Sequence, residues 1–446
     1  MAISIELLQE KIAAGNLTVG VIGLGYVGLP LASEFAGKGF RTFGFDVDSN
    51  KIQSLERGVN YIEDIDSEQV RQIVEQGKLI PTWDFSRCAE CDAIFICVPT
   101  PFTPNKDPDI TFIEQAARDV RDNLRPGQVV VLKSTTFPGT TEKYVKPILE
   151  ESGLIAGKDF YLAFSPERID PGNKKWNTAN TPIVVGGIDE LSSKLAAFVH
   201  GLVVSQVIEV SSPAIAEMEK LLENIFRGVN IALVNELAQL CDRIGVNIWE
   251  VVDAASTKPF GYMPFYPGPG IGGHCILIDP YYLAWMAREY DFVTNFITLA
   301  GEINEEMPFY VRGMVIKEIA KQPITMADAK ILMLGMAFKR DVDDLRHSPA
   351  LKVAELLKED SIGHVSYFDP YIPSIRICDE SLYSEKELTA DMLKNYDVVV
   401  ITTDHTIFDF EMIASNAKVV IDTRNALKHI KKDRSNIVLL GEGKGK

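Results

Sequence analysis

Residues 18–46 confine the chain to one class of architecture. A continuous apolar run, Thr18-Val19-Gly20-Val21-Ile22, leads into Gly23-Leu24-Gly25-Tyr26-Val27-Gly28. A helical pattern to about residue 38 and a second strand-like run, 41–46, ending on Asp46, follow. Strand, glycine turn, helix and strand in this order form a βαβ unit, which requires a parallel sheet flanked by helices. Each glycine has a physical reason. Gly23 makes the tight turn, Gly25 lets a pyrophosphate approach the backbone at the helix N-terminus, and Gly28 allows close helix packing. Tyr26 and Val27 lie on the same turn. Asp46 suits the hydroxyls of a ribose. Its charge repels a 2′-phosphate and no arginine stands among the next few residues, so NAD is expected rather than NADP.

Further short, β-branched runs recur at α/β spacing: 92–98, 128–133, 160–164 and 183–185. Their unbroken hydrophobicity predicts buried parallel strands. Ligands in such sheets bind beyond the carboxyl ends of the strands, where three loops carry polar groups: Val98-Pro99-Thr100, Ser134-Thr135-Thr136 and Ser165-Pro166-Glu167-Arg168. For each loop alone, a turn or helix cap is an equally good reading. Ser211-Ser212-Pro213 then opens a long helix, with apolar residues at 215, 218, 221, 222, 225, 226, 229, 233, 237, 240 and 244. That period runs for about thirty residues, or about 45 Å, long enough to join two domains. Lys220 and Asn224 share one of its faces. A further helix is expected over 281–290 and a second long one over about 295–321. From Lys330 βαβ alternation resumes, with strands at 330–335, 364–368, 397–401 and 418–421. This half carries Gly335-Met336-Ala337-Phe338-Lys339 and lacks GxGxxG, so it suits a different nucleotide. The expected fold is α/β: two Rossmann-like, doubly wound domains (1–210 and 322–446) joined by a helical middle domain (211–321). The tail from Gly441 reads as loose.

The segment 266–280, Tyr-Pro-Gly-Pro-Gly-Ile-Gly-Gly-His-Cys-Ile-Leu-Ile-Asp-Pro, crowds glycine and proline around His274, Cys275 and Asp279. It reads as neither helix interior nor ladder strand, because glycine and proline impose special backbone angles. Two readings of Cys275 stand: a nucleophile at the mouth of a buried element, or a packed thiol beside a tight turn. A zinc site of His274, Cys275 and Asp279 is disfavoured, since adjacent side chains diverge and no second Cys/His cluster lies nearby. Cys88-Ala89-Glu90-Cys91 is solitary and reads as part of the connection into the next strand. Six cysteines in 446 residues make no disulfide framework. No metal is expected. A net charge of −17 argues against nucleic acid. No apolar run reaches the length of a membrane span and the N-terminus is acidic, so a cytoplasmic protein is expected.

Five motifs in this order, Gly23-Leu24-Gly25-Tyr26-Val27-Gly28-Leu29-Pro30, Ser165-Pro166-Glu167-Arg168, Lys220-Leu221-Leu222-Glu223-Asn224, Gly272-Gly273-His274-Cys275 and Phe338-Lys339, resemble the UDP-glucose/GDP-mannose dehydrogenase superfamily. The resemblance covers about residues 16–436. It implies two oxidations by NAD, taking the C6 alcohol of a UDP-sugar to a carboxylate for surface polysaccharide precursors such as O-antigen. By resemblance Cys275 is the nucleophile that forms a thiohemiacetal and then a thioester. Lys220 and Asn224 stabilise the oxyanion, and Asp279, Glu167 and Thr135 organise proton transfer and water. Gly23, Gly25, Tyr26, Val27, Gly28, Asp46, Thr100 and Thr135 would meet the cofactor. Glu167, Arg168, Lys220, Asn224, Tyr266, Gly272, Lys339 and Arg424 would meet the substrate, with Arg346 a weaker phosphate or interdomain candidate. The segment 258–266 departs from the UDP-glucose enzymes and looks like the branch acting on N-acetylhexosamines. UDP-N-acetylglucosamine is the expected substrate, with UDP-N-acetylmannosamine or UDP-glucose as alternatives. A non-catalytic nucleotide-sugar sensor is a reading of a different class. A homodimer or higher homo-oligomer through the long helix is expected, because its apolar positions exceed one buried stripe.

Overall fold

A computed structural model describes residues 4–62, 65–103, 107–169, 173, 175–273, 275–431 and 434–443; the side chains of residues 275, 277 and 278 lie outside that description. His274 is therefore not placed. The chain divides into two compact units, Met1–Glu223 with Tyr281–Asp291, and Asn224–Pro280 with Phe292–Lys446.

The first unit holds an eight-stranded sheet built from β1 (Thr18–Ile22), β2 (Arg41–Phe45), β3 (Leu79–Thr82), β4 (Ala93–Ile96), β5 (Val129–Leu132), β6 (Tyr161–Phe164), β7 (Ile183–Gly187) and β8 (Val207–Val210). Their order is β3-β2-β1-β4-β5-β6-β7-β8. The first six follow the 3-2-1-4-5-6 order of a dinucleotide fold, with the topological switch between β1 and β4. Alternate residues of each central strand enter different cores. Ala93, Phe95, Val129 and Val131 join one cluster, and Ile94, Ile96, Val130 and Leu132 the other. Burial on both faces is why these strands read as unbroken apolar runs.

The all-parallel expectation fails at one place. β7 runs antiparallel to β6, then pairs in parallel with β8. A parallel neighbour needs a crossover, usually helical, and no helix lies between β6 and β7 among the described residues.

The second unit contains β9 (Lys330–Leu334), β10 (His364–Phe368), β11 (Ser374–Ile377), β12 (Glu380–Tyr383), β13 (Val398–Ile401), β14 (Val420–Asp422) and β15 (Ile437–Leu439). Five of them form a parallel sheet ordered β10-β9-β13-β14-β15, the other doubly wound arrangement, with its switch between β9 and β13. β11 and β12 pair separately as an antiparallel ribbon.

The long helix is Pro213–Ile244, 32 residues, and the boundary between the units falls inside it. Ser212 Oγ accepts the Ile215 N–H at 3.4 Å at its start. The second long helix is Asn295–Ala320. Two sequence expectations need correction. The glycine- and proline-rich segment does not exclude helix throughout: a helix opens at Cys275 and runs to Ala287, with Pro280 inside it. The glycines end at Gly273, and a proline near the helix start forfeits one intrahelical hydrogen bond there. The tail is not loose over 441–443. Asp242 accepts the N–H groups of Gly441 (3.2 Å) and Gly443 (3.0 Å), and Ile248 N donates to Gly441 O at 2.9 Å. A Cβ on Gly441 would stand 2.5 Å from Ile248 Cγ2, so glycine permits close packing there.

Candidate functional site

In the first unit, the turn after β1 is shaped by contacts that exclude side chains. Gly23 has φ +89°, and a Cβ there would lie 2.6 Å from Cys97 O; on Gly28 it would lie 1.8 Å from Gly23 O. A Cβ on Gly25 would meet nothing within 4 Å. The protein itself does not need glycine at that position. The helix Gly28–Gly37 has no side-chain cap on its N-terminus and no acid in its first turn. A helix N-terminus without a side-chain cap, beside the open space at Gly25, fits a bound pyrophosphate. Tyr26 is exposed and Val27 stands at the N-cap.

Asp46 is buried and accepts the N–H groups of Leu24 (2.8 Å) and Asp48 (2.9 Å) and the Lys51 ammonium at 3.0 Å. The cation beside Asp46 is thus a lysine five residues on, rather than an arginine. The carboxylate still keeps capacity on Oδ1 for a hydroxyl.

The second unit repeats this geometry with a different outcome. Gly335 has φ +84° and a Cβ there would lie 2.5 Å from Thr403 O across the switch, as Gly23 meets Cys97 O. Asp369, just past β10, accepts Met336 N at 2.6 Å as Asp46 accepts Leu24 N. It also accepts Ala337 N (3.0 Å) and Tyr371 N (2.8 Å), and His405 Nε2 lies 3.1 Å away. Asp369 is thus committed within the protein, which fits the expectation that this half takes a nucleotide other than a second dinucleotide.

Beyond the strand ends of the first sheet, Thr100 is buried and its carbonyl accepts the Tyr282 hydroxyl at 2.5 Å. Thr135 is half-buried. The segment that follows it is fixed by Glu217 of the long helix, whose carboxylate accepts Gly139 N (2.6 Å), Thr141 N (2.9 Å) and Thr141 Oγ1 (2.7 Å). Glu167 accepts the N–H groups of Arg168 (2.9 Å) and Ile169 (3.1 Å) on Oε1, and faces the buried Lys133 ammonium at 3.6 Å on Oε2.

Arg168 bonds Glu223 through Nε at 3.0 Å and through Nη2, reaches Glu219 at 3.4 Å, and donates to Pro182 O at 2.8 Å. Its guanidinium is already engaged by the loop and the long helix. Lys220, one residue from Glu219, is buried. Burial, followed by hydrogen bonding with Glu223, pushes the Glu219 carboxyl up to about 7. Burial pushes Glu223 the same way, but hydrogen bonds with Arg168 and Glu219, together with the charges of Arg168 and Lys220, outweigh it and hold that group below the ordinary carboxylate range.

In the second unit, Asn224 and Asp279 are both buried, and the Asn224 amide donates to Asp279 at 2.5 Å. Asp279 is the fifth residue of the helix that Cys275 opens. The loop before that helix is held by paired asparagines. Gly268 N donates to Asn235 Oδ1 (2.9 Å), Asn235 to Asn304 Oδ1 (2.9 Å), and Asn304 to Gly228 O (3.0 Å). Its glycines admit the candidate substrate residues closely. A Cβ on Gly268 would lie 2.7 Å from Arg424 Nη1, and one on Gly272 would lie 2.5 Å from Phe338 Cβ. Arg424 follows β14 and donates through Nε to Thr402 O at 3.0 Å; Lys339 is half-buried. Tyr266 is exposed, stacks on Trp249 and donates to Asp253 at 2.6 Å. Arg346 pairs with Asp344 at 2.7 Å at the surface.

Cys88 and Cys91 lie buried at a short 3-10 turn, and burial pushes the Cys88 thiol up to about 12. The described residues contain no group of three or more His, Cys, Asp or Glu arranged to hold a metal, and no helix long and apolar enough to cross a membrane.

Sequence and structure comparisons match these features to known proteins. Residues 17–202 match the NAD-binding domain of the UDP-glucose/GDP-mannose dehydrogenase family, 214–306 its central domain and 332–429 its UDP-binding domain. The chain is 37% identical to a UDP-N-acetyl-D-mannosamine dehydrogenase of Pyrococcus horikoshii over 92% of this chain and 96% of that protein. It is 33% identical to a UDP-N-acetyl-D-glucosamine 6-dehydrogenase of Pseudomonas aeruginosa over 95% of this chain and 100% of that one. The solved structure of the Pyrococcus horikoshii enzyme superposes with a TM-score of 0.86 at 34% identity, covering 96% of this chain and all of that one.

Proposed function

The chain belongs to the UDP-glucose/GDP-mannose dehydrogenase family, and from that premise we propose that it oxidises the C6 alcohol of a UDP-N-acetylhexosamine to the carboxylate. It is an NAD-dependent nucleotide-sugar 6-dehydrogenase. The observation that carries the residue assignment is the buried pair of Asn224, on the long helix, and Asp279, on the helix opened by Cys275. Such a pair is costly to bury for structure alone and suits a site that handles charge and protons.

NAD, when bound, accepts a hydride in each of the two oxidations. The Cys275 thiolate adds to the C6 aldehyde, forming a C–S bond and an alkoxide. Oxidation of this thiohemiacetal gives a thioester; water then breaks the C–S bond, releasing the carboxylate and the thiolate. Residue 275 opens a helix, where unpaired N–H groups favour negative charge. Lys220 and Asn224 offer a cation and an amide donor to the alkoxide. Glu167, Asp279 and Thr135 handle the protons and the hydrolytic water. Lys339 and Arg424 meet the diphosphate, and Asp46 meets the adenosine ribose.

The acetylhexosamine class rests on the 258–266 segment and on the relatives described above. UDP-N-acetylglucosamine is the reading of the sequence; the higher identity to a mannosamine enzyme supports its C2 epimer. Incubation with NAD and a panel of both epimers and UDP-glucose, following NADH and the uronic acid, tests the proposal. Two NADH per acetylhexosamine are expected. No NADH with any sugar would revive the nucleotide-sugar sensor. The Cys275→Ala protein should bind NAD and lose carboxylate formation by at least about a hundredfold, a barrier change of about 2.7 kcal/mol or more. Near-normal turnover in that variant would rule out the covalent route.

The long helix is also read as a homodimer surface. Ile215, Met218, Leu222, Phe226, Leu233, Leu237, Leu240 and Ile244 are all exposed along it. With the half-buried Val229 their spacings repeat every eleven residues, close to three helical turns, which keeps these positions on one face of the helix. A patch of this kind is seldom left to water.

A further inference from the structure

We propose that Lys133 is a positioning residue for Glu167, holding its carboxylate in the orientation that thioester hydrolysis requires. The inference rests on the role given to Glu167 above.

Lys133 directly follows β5, and its N–H donates to Ile96 O at 2.8 Å, so its backbone is locked to the sheet. Its side chain is 1% exposed. The four residues before it, Val129-Val130-Val131-Leu132, are buried and apolar. A site needing only packing would continue that pattern, because a buried ammonium is costly unless paired. Glu167 Oε2, at 3.6 Å, is the carboxylate within ion-pair distance among the described residues. The neighbouring buried His200 cannot compete as a charge: burial first, and then Lys133 itself, pull its pKa down to about 3. The two N–H groups on Oε1 and the ammonium facing Oε2 constrain the carboxylate from both ends. Lys133 stands at the end of β5, bonded to the sheet, whereas Glu167 sits on the loop after the adjacent β6, so the pair ties that loop to the rigid sheet.

In the hydrolytic step water oxygen bonds to the thioester carbon, the water proton passes to Glu167, and the C–S electron pair returns to Cys275 as thiolate. A Glu167 free to rotate would slow this step and leave the earlier ones largely intact. The test compares Lys133→Met, Lys133→Gln, Lys133→Arg and Glu167→Gln by rapid-quench NADH measurement and by the intact mass of the protein during turnover. Lys133→Gln runs beside Lys133→Met so that one misfolded variant does not end the experiment. Both neutral variants should keep the first NADH burst within about threefold and lose at least about tenfold in steady-state rate, while a sugar thioester accumulates on residue 275. Lys133→Arg, which keeps the charge, should restore most of the rate and remove the adduct. A purely structural lysine would instead lower burst, NAD affinity and rate together, with no adduct, and that result would overturn the proposal. A Glu167→Gln protein that stalls while both neutral Lys133 variants turn over normally would overturn it too, leaving the role of Glu167 intact. Normal turnover by Glu167→Gln would overturn both.

Discussion

The amide of Asn224, on the long helix, donates to the carboxylate of Asp279, on the helix that Cys275 opens, at 2.5 Å between two buried side chains. Removing the donor leaves a buried carboxylate short of a partner. Asn224→Ala should lower stability by about 1–3 kcal/mol in urea unfolding. Turnover should fall at least about tenfold, and the loss should be non-additive with Asp279→Asn. Strictly additive effects in the double variant would mean that the contact is idle in catalysis.

The two later glycines of the first turn should separate binding from folding. Gly25→Ala finds open space, so the protein should fold with a nearly unchanged melting temperature and bind NAD poorly. Gly28→Ala forces a Cβ to 1.8 Å from Gly23 O and should not yield folded protein. Titration of Gly25→Ala with NAD checks the first half. Unchanged affinity would move the pyrophosphate away from Gly25.

Glu219 predicts a pH dependence of stability. Its folded-state pKa, about 7, lies above the ordinary 4.5. Below about 4.5 the group is protonated folded or unfolded, and its contribution is fully present. Between these values the unfolded chain releases the proton first, so stability falls as pH rises, and the loss is complete above about 7. The groups involved with it are Arg168, Glu223 and Lys220. Glu219→Gln should therefore melt above the unmodified protein at pH 8 and much closer to it at pH 4.5. Parallel melting curves across that range would refute the assignment.

The exposed stripe of the long helix should govern assembly. Leu233→Glu with Leu240→Glu should convert dimers to monomers in light scattering at micromolar concentration, with the helical circular dichroism retained. An unmodified protein that is monomeric under those conditions would remove the dimer from consideration.

The dinucleotide half was legible because its requirements are local. Gly23, Gly28 and Asp46 lie within one βαβ unit, and the contact that forces glycine at 28 comes from Gly23 O on the turn itself; only the contact at Gly23, from Cys97 O after β4, comes from outside that unit. Central strands were legible because burial on both faces leaves an unbroken apolar record in the sequence. The reversal at β7 was not, since strand direction depends on which end of the sheet a loop returns to. Nor was the pinned tail, because Asp242, Ile248 and Gly441 meet only after about two hundred residues of chain have folded between them.

The sequence by itself determined the periodicities, the glycine turn with its terminal acid, and the order of the chemically loaded loops, since each depends on neighbours a few residues apart. The tertiary structure alone decided which charges meet. Lys133 beside Glu167, Arg168 between Glu219 and Glu223, and Asn224 against Asp279 are pairings between different segments. A pairing energy depends on distance and burial, which a linear sequence does not carry until the sheet and the helices have brought the segments together.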